Sequence, residues 1–268
     1  MNEFYTRSLS GFLYIVLLIG AIFFSPYTFL FLFLLFGYIC LLELQRLIHF
    51  KNPVLPLILI IGYVLLHLYK PLPILILIIL LAATLVTDAF LIRDLLTIRI
   101  IPVFEKRKYI ISIFYLITSF ICLTLIPFVF EAYQPMIILG CFILIWTNDS
   151  FAFLIGKQFG KNKLFERVSP KKTIEGFLGG MIFTLIAGFV LSIFTDALSP
   201  PVWLLISLII SIFGTLGDLI QSRLKRQAGV KDSGNIMPGH GGLFDRLDSI
   251  IFAGPFIYTL LQITHYVS

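Results

Sequence analysis

Apolar runs, each near the ~20 residues that cross a bilayer, follow one another along almost the whole chain: 10–25, 27–47, 54–69, 72–92, 109–131, 135–156, 177–198, 201–221 and 250–266. The third and the last are short. Together they predict an all-α polytopic membrane protein of about nine transmembrane helices, with no internal repeat and no low-complexity linker. We read it as one domain, with N-terminal helices over 1–134 and a motif-bearing half over 135–268. The first run follows a short segment containing Arg7, the arrangement of a signal peptide, but "GAIFFSPY" offers no small-x-small cleavage site, so a retained helix is expected.

The polar positions between the runs set the orientation. With the N-terminus in the cytosol, the cytosolic segments hold every Lys and Arg except Lys70, as the positive-inside bias requires. Removing or adding one early span destroys this partition. The other connections, "SPYT", "KPLP", "EAYQP" and "DALSPP", are too short for an outer domain. Function is therefore expected in the membrane or on its cytosolic side.

Composition agrees: 59% of the 268 residues are hydrophobic and 13% charged, against roughly 25% charged in soluble domains. The net charge of +6 would suggest nucleic acid in a soluble chain, but here it follows topology and no nucleic-acid partner is expected. Cys40, Cys122 and Cys141 lie inside apolar runs without paired spacing, which indicates packing rather than disulfides or metal.

Acids inside the runs are costly and are functional candidates by default. Glu43, Asp88, Asp149 and Asp218 each sit near the cytosolic end of a run. Glu43 and Asp88 are read as snorkelling or pairing with Arg46 and Arg93 close by. Asp149, in "WTNDSFAF", and Asp218, in "FGTLGDLIQS", have more polar company and point to a site beneath the cytosolic loops.

Three of those loops are substantial. "RDLLTIRIIPVFEKRK" (93–108) mixes apolar and basic residues and suits an interfacial segment beside anionic headgroups. In "GGLFDRLDS", Asp245 and Asp248 are three apart, so a helix starting there puts both carboxylates on one face. With Asp218 they make three hard oxygen donors, a set suited to Mg²⁺, which usually completes its shell with phosphate oxygens. The low bulk of "PGHGG" (Pro238, Gly239, His240, Gly241, Gly242) would let backbone N–H groups approach phosphates. Lys225, Arg226, Lys231 and Arg246 would neutralise phosphate charge. "SPKKTIEGFLGG" (169–180) sets a proline-fixed turn, Lys171, Lys172 and the Thr173 hydroxyl before a helix N-terminus, a candidate anion site that is also ordinary positive-inside sequence. His240 has no evident serine partner, and neither a GxSxG elbow nor a P-loop is present.

"SRLKRQAGVKDSGNIMPGHGGLFDRLD" (222–248) resembles the signature of the phosphatidate cytidylyltransferase (CDP-diacylglycerol synthase) family, with "SPKKTIEG" and "NDSFAFLIGKQFGK" (148–161) similar to its other motifs. The motifs cover roughly 146–250; earlier, only the architecture is similar. Phe153 stands where the family often has tyrosine, so a hydroxyl contact there is not carried over. The resemblance implies CTP plus phosphatidate giving CDP-diacylglycerol and pyrophosphate in a bacterial inner membrane, with the site facing the cytoplasm, membrane lipids around it and a homodimer as the assembly. It implies catalytic roles for Asp218, Lys225, Lys231, Asp245 and Asp248, with Mg²⁺ on Asp218, Asp245 and Asp248, alone or with a second, monovalent cation. Substrate contacts are implied for Asp149, Ser169, Lys171, Lys172, Thr173, Ser222, Arg226, Asp232, Pro238, Gly239, His240, Gly241, Gly242 and Arg246.

Competing readings are a CTP-dependent polyprenol or phytol kinase, a cytidylyltransferase for an archaeal-type ether lipid, and a transporter. The first two lack a reason for the intact 222–248 signature. A transporter would place polarity near the midplane within a repeated architecture, and here the polar residues gather at one face. The "DGxxAR" segment of the CDP-alcohol phosphotransferases is absent from the sequence.

Overall fold

A computed structural model describes residues 3–68, 74–97, 100–130 and 132–267; the expected "KPLP" turn (70–73) lies outside them. Nine helices occur among the described residues: α1 (Glu3–Phe24), α2 (Pro26–Leu47), α3 (Val54–Leu68), α4 (Ile74–Thr97), α5 (Glu105–Phe128), α6 (Pro135–Phe159), α7 (Ile174–Phe194), α8 (Pro200–Gln227) and α9 (Phe244–Val267). Seven are long and apolar enough to cross a membrane, while α1 and α3 offer shorter apolar stretches. Proline at the first turn starts α2, α6 and α8, where its missing N–H costs nothing. α8 and α9 overrun the apolar runs into the polar loop, so Ser222 and Lys225 are helical, as are Asp245 and Asp248.

One feature is not helical. "SPKKT" is not a turn but strand β2 (Ser169–Thr173), paired antiparallel with β1 (Lys163–Phe165). Between α6 and α7 the hairpin pairs the backbone, Lys163 opposite Thr173 and Phe165 opposite Ser169. Thr173 then caps α7, its hydroxyl accepting from Gly176 N at 3.1 Å. Glu175 accepts from Lys161 N at 3.0 Å and Asn162 Nδ2 at 2.8 Å, which ties the start of the hairpin to α7.

α9 is the central helix, with Phe244, Leu247, Ile251, Phe252 and Ile257 all fully buried. α7 instead exposes Ile182, Ile186, Phe189 and Ile193, the face expected against lipid. Cys40, Cys122 and Cys141 are buried. π-helical stretches interrupt α5 (Ile111–Thr118) and α8 (Ile210–Gly214), the second ending just before Asp218.

α6 meets α8 where the fully buried Trp203 indole occupies the space a Cβ on Gly140 would need. Gly140→Ala is therefore expected to destabilise the bundle by about 1–3 kcal/mol through overpacking. A melting temperature in detergent equal to that of the unsubstituted protein would contradict this contact.

Candidate active site

The site lies at one end of the bundle, where α2, α4, α6 and α8 finish and α5, α7 and α9 begin. Its main concavity, a cavity of about 570 Å³, is walled by Asn148, Asp149 and Lys157 of α6, the β-hairpin with Lys163, Ser169, Lys171, Lys172 and Thr173, and Thr215 and Asp218 of α8. Phe153 and Phe177 also line it, and Phe153 is exposed on the outer surface.

Asp218 is ion-paired with Lys172 and accepts a hydrogen bond from Ser222 Oγ at 3.0 Å. Its side chain keeps 31% exposure to the cavity. Burial alone would lower the Lys172 pKa, but Asp218, and after it Asp149 and Asp248, raise it above the ordinary lysine value, so this ammonium stays charged at neutral pH. Asp248 is buried; its Oδ1 accepts from Ser249 N at 2.7 Å, and it lies within electrostatic reach of Asp218, Lys225 and Asp149.

Asp245 does something different. Its Oδ1 accepts from Lys225 Nζ at 2.7 Å and Gln221 Nε2 at 3.2 Å, and its Oδ2 accepts from Ser233 N at 2.8 Å and Gly242 N at 2.9 Å. A carboxylate has about four lone-pair sites, so these donors leave it no capacity for a cation in this arrangement. It clamps the 229–243 loop onto α8 and the start of α9. We expect Asp245→Asn to lower both melting temperature and activity, because an amide nitrogen cannot accept from this ring of donors. Activity lost with an unchanged melting temperature would show that the clamp is not its main role.

The backbone of "PGHGG" is likewise spent internally, contrary to the expected phosphate cradle. His240 N and Gly241 N donate to Met237 O at 2.9 and 3.1 Å, and Gly242 N donates to Asp245. The glycines answer to conformation and space: Gly239 and Gly241 have φ of 77° and 89°, and a Cβ on Gly242 would strike Ser233 and Glu43. His240 does have a serine partner, Ser10 of α1, with Nδ1 and Oγ 2.8 Å apart. The Ser10 hydroxyl also lies 3.0 Å from Pro238 O, so it ties α1 to the loop. Arg246 braces the same loop through His240 O at 2.7 Å.

Glu43 corrects the reading that it pairs with Arg46. Its buried carboxylate accepts from Ser233 Oγ at 2.7 Å, Leu243 N at 3.1 Å and Phe244 N at 2.9 Å, capping α9. Asp88 does not pair with Arg93, which instead joins Arg107 on Asp94. Both Asp88 oxygens are buried without a hydrogen-bond partner in the structure.

The structure thus brings Asp149, Lys171, Lys172, Thr173, Ser169 and Asp218 onto one cavity, with Ser222 and Asp248 beside it. Lys225 is ion-paired with Asp245 outside the cavity lining, within electrostatic reach of Asp218. Lys231 and Asp232 are exposed on the loop. Arg226 lines a separate cavity and donates to Val230 O at 3.2 Å. Glu43, Ser233, Gln221, Lys157 and Lys163 were not among the sequence candidates. Helical periodicity could have found Gln221, which shares a face with Asp218, Ser222 and Lys225.

Among the described residues, no group of three or more His, Cys, Asp or Glu side chains is placed to hold a metal ion. Mg²⁺ does not demand one, since one or two carboxylates suffice when substrate phosphates complete the shell. Asp218 with Asp248 fits that smaller donor set, and Asp245 in its present bonding does not.

Against known proteins, a profile of the cytidylyltransferase family matches residues 5–264. The chain is 48% identical over 122 residues to a phosphatidate cytidylyltransferase of Bacillus subtilis, covering 45% of this chain and 45% of that protein. It is 49% identical over 126 residues to proteins of the same description from Staphylococcus saprophyticus and Staphylococcus aureus, covering 46% of this chain and 48% of each. The aligned part is thus about half the length of the curated relatives the chain matches.

Proposed function

Since the chain belongs to the cytidylyltransferase family, we propose that it is a CTP:phosphatidate cytidylyltransferase, converting CTP and phosphatidate to CDP-diacylglycerol and pyrophosphate. The observation that carries this reading is the cavity shared by Asp149, Asp218 and Lys157, Lys163, Lys171 and Lys172 at the end of an apolar bundle. An anionic headgroup would be held there while its acyl chains stay in the bilayer, and the nucleotide would enter from water.

The attacking group is an oxygen of the lipid phosphate. It forms the new P–O bond at the α-phosphate of CTP, and the bond to the β-phosphate breaks to release pyrophosphate. That oxygen is already ionised near neutral pH, so no strong base is required. What remains is alignment and charge neutralisation. Lys171 and Lys172, on a strand fixed by the α7 cap, would hold one phosphate group. Lys225, steadied by Asp245, would meet the other substrate. Ser222 orients Asp218 through its 3.0 Å hydrogen bond. A divalent ion, when bound on Asp218 and Asp248, would neutralise triphosphate charge; a second, monovalent cation belongs to the same proposal. Arg246, His240 and the glycines shape the loop in this reading.

The orientation in this proposal has the N-terminus in the cytosol and the site facing the cytoplasm of a bacterial inner membrane. The partition of Lys and Arg supports it. A homodimer rests on the resemblance alone.

The test supplies membranes containing the full chain with CTP labelled at either the α- or the γ-phosphate, with phosphatidate present or omitted. The expected result is α-label in chloroform-soluble lipid only when phosphatidate is added. Transfer of γ-label to lipid would identify a kinase instead and overturn the reading.

A further inference from the structure

A second cavity, of about 510 Å³, opens on the far side of α8 from Asp218 and is lined by Ile100, Arg167, Val168, Arg223, Arg226 and Gln227. Arg167 and Arg223 also line its neighbour of about 290 Å³, beside Leu96 and Phe165. Its wall is built: Gln227 exchanges hydrogen bonds with Ile101, Nε2 to O at 2.9 Å and N to Oε1 at 3.1 Å. Arg223 Nη1 donates to Leu95 O at 3.3 Å. The chain after α4 is thereby fastened to α8, and the β1–β2 turn closes the remaining side.

Three guanidinium groups around one hollow repel one another, and Arg167 and Arg223 meet at both cavities. Among the described residues no carboxylate lines the larger cavity, Glu166 lines the smaller one, and Arg167 and Arg226 enter none of the described ion pairs. Forked guanidinium donors match carboxylate and phosphate oxygens alike, and a phosphate group offers more acceptor oxygens and more charge to three of them. Leu96 and Ile100 at the rim are 61% and 66% exposed, which gives the site an apolar lip at the level where the bundle meets the membrane surface.

We propose that this cavity is a phosphate-docking site outside the reacting cavity, formed by Arg167, Arg223 and Arg226 and suited to a phosphate group presented at the bilayer surface. The inference stands apart from the transferase reading, because binding there needs no chemistry. It connects to that reading through position: Arg167 lies in the turn of the hairpin whose second strand carries Lys171 and Lys172, so an occupant would steady the strand that faces Asp218.

The experiment uses the full chain in dodecyl maltoside, which has no phosphate, titrated separately with dihexanoyl phosphatidylglycerol, inorganic phosphate and pyrophosphate. Hydrogen exchange is followed over 95–97, 165–168 and 223–227. Protection of these segments is expected, with half-saturation shifted about fivefold in Arg167→Gln and protection lost in Arg167→Glu. Protection by the lipid alone identifies a headgroup as the source, and protection by the soluble anions identifies a free phosphate; both support the site. Absence of protection with all three probes, or protection unchanged in Arg167→Glu while its melting temperature is normal, would overturn it.

Discussion

Asp218→Asn is expected to reduce phosphatidate-dependent formation of CDP-diacylglycerol by roughly a hundredfold or more, beyond the 10–100-fold typical of groups that only orient a ligand, while leaving the fold intact. Asp218 is the acidic group that faces the large cavity and also engages a lysine of the hairpin. Asparagine keeps its size and its hydrogen bond from Ser222, yet it removes the charge that holds Lys172 and the donor proposed for a divalent ion. Asp248→Asn should behave in the same direction. Because the Asp218 side chain is 31% exposed and its ion pair is therefore partly screened, losing the pair should cost no more than about 1 kcal/mol, and the melting temperature should fall only slightly. Label incorporation measured beside thermal unfolding separates the outcomes. Near-normal incorporation in Asp218→Asn would refute the proposed role.

Glu43→Gln is expected to have the opposite profile, with stability lost first and activity lost as a result. Both oxygens of Glu43 accept hydrogen bonds: one from Leu243 N, the other from Ser233 Oγ and Phe244 N. Glutamine offers one acceptor, and its amide nitrogen would point donors at donors. Each lost bond to a buried charge is worth about 1.5–3 kcal/mol, so Glu43→Gln should cost roughly 2 kcal/mol and Glu43→Ala about 3–5 kcal/mol. Proteolysis at 229–243 should accelerate in parallel. If Glu43→Ala unfolds at the same temperature as the unsubstituted protein, the carboxylate does not hold the loop.

These two acids also mark what the sequence could and could not reveal. Asp218 was legible because an acid at the end of an apolar run, next to a polar loop, violates the local solvent rule. The runs themselves were legible because bilayer thickness imposes a length on every crossing helix. Glu43 violated the same rule, but its partners lie 190 to 201 residues away, and no local period connects them; the nearby Arg46 was the plausible alternative. Asp88 and Arg93 misled similarly, since Asp94, one residue on, is fully buried and takes the arginine. The glycines of "PGHGG" were read as open space for a phosphate. Gly241 N is instead taken by the tight bend that Met237 O closes and Gly242 N by Asp245, features that require the three-dimensional path of the loop. The hairpin was hidden because "KLF" and "SPKKT" are too short to show alternation.

The pairing of Lys172 with Asp218 and of Lys225 with Asp245 has a further consequence. The pocket is not a bare cluster of like charges, since Asp218 already has the Lys172 ammonium as its companion. In the proposed reaction a nucleotide arriving with a divalent ion would enter by a swap of partners, in which Lys172 passes from Asp218 to a phosphate as the metal takes its place, while Lys225 stays with Asp245 to hold the loop. At the edge of a low-dielectric bilayer, such an exchange would let a highly charged substrate approach without Asp218 first being stripped of its companion.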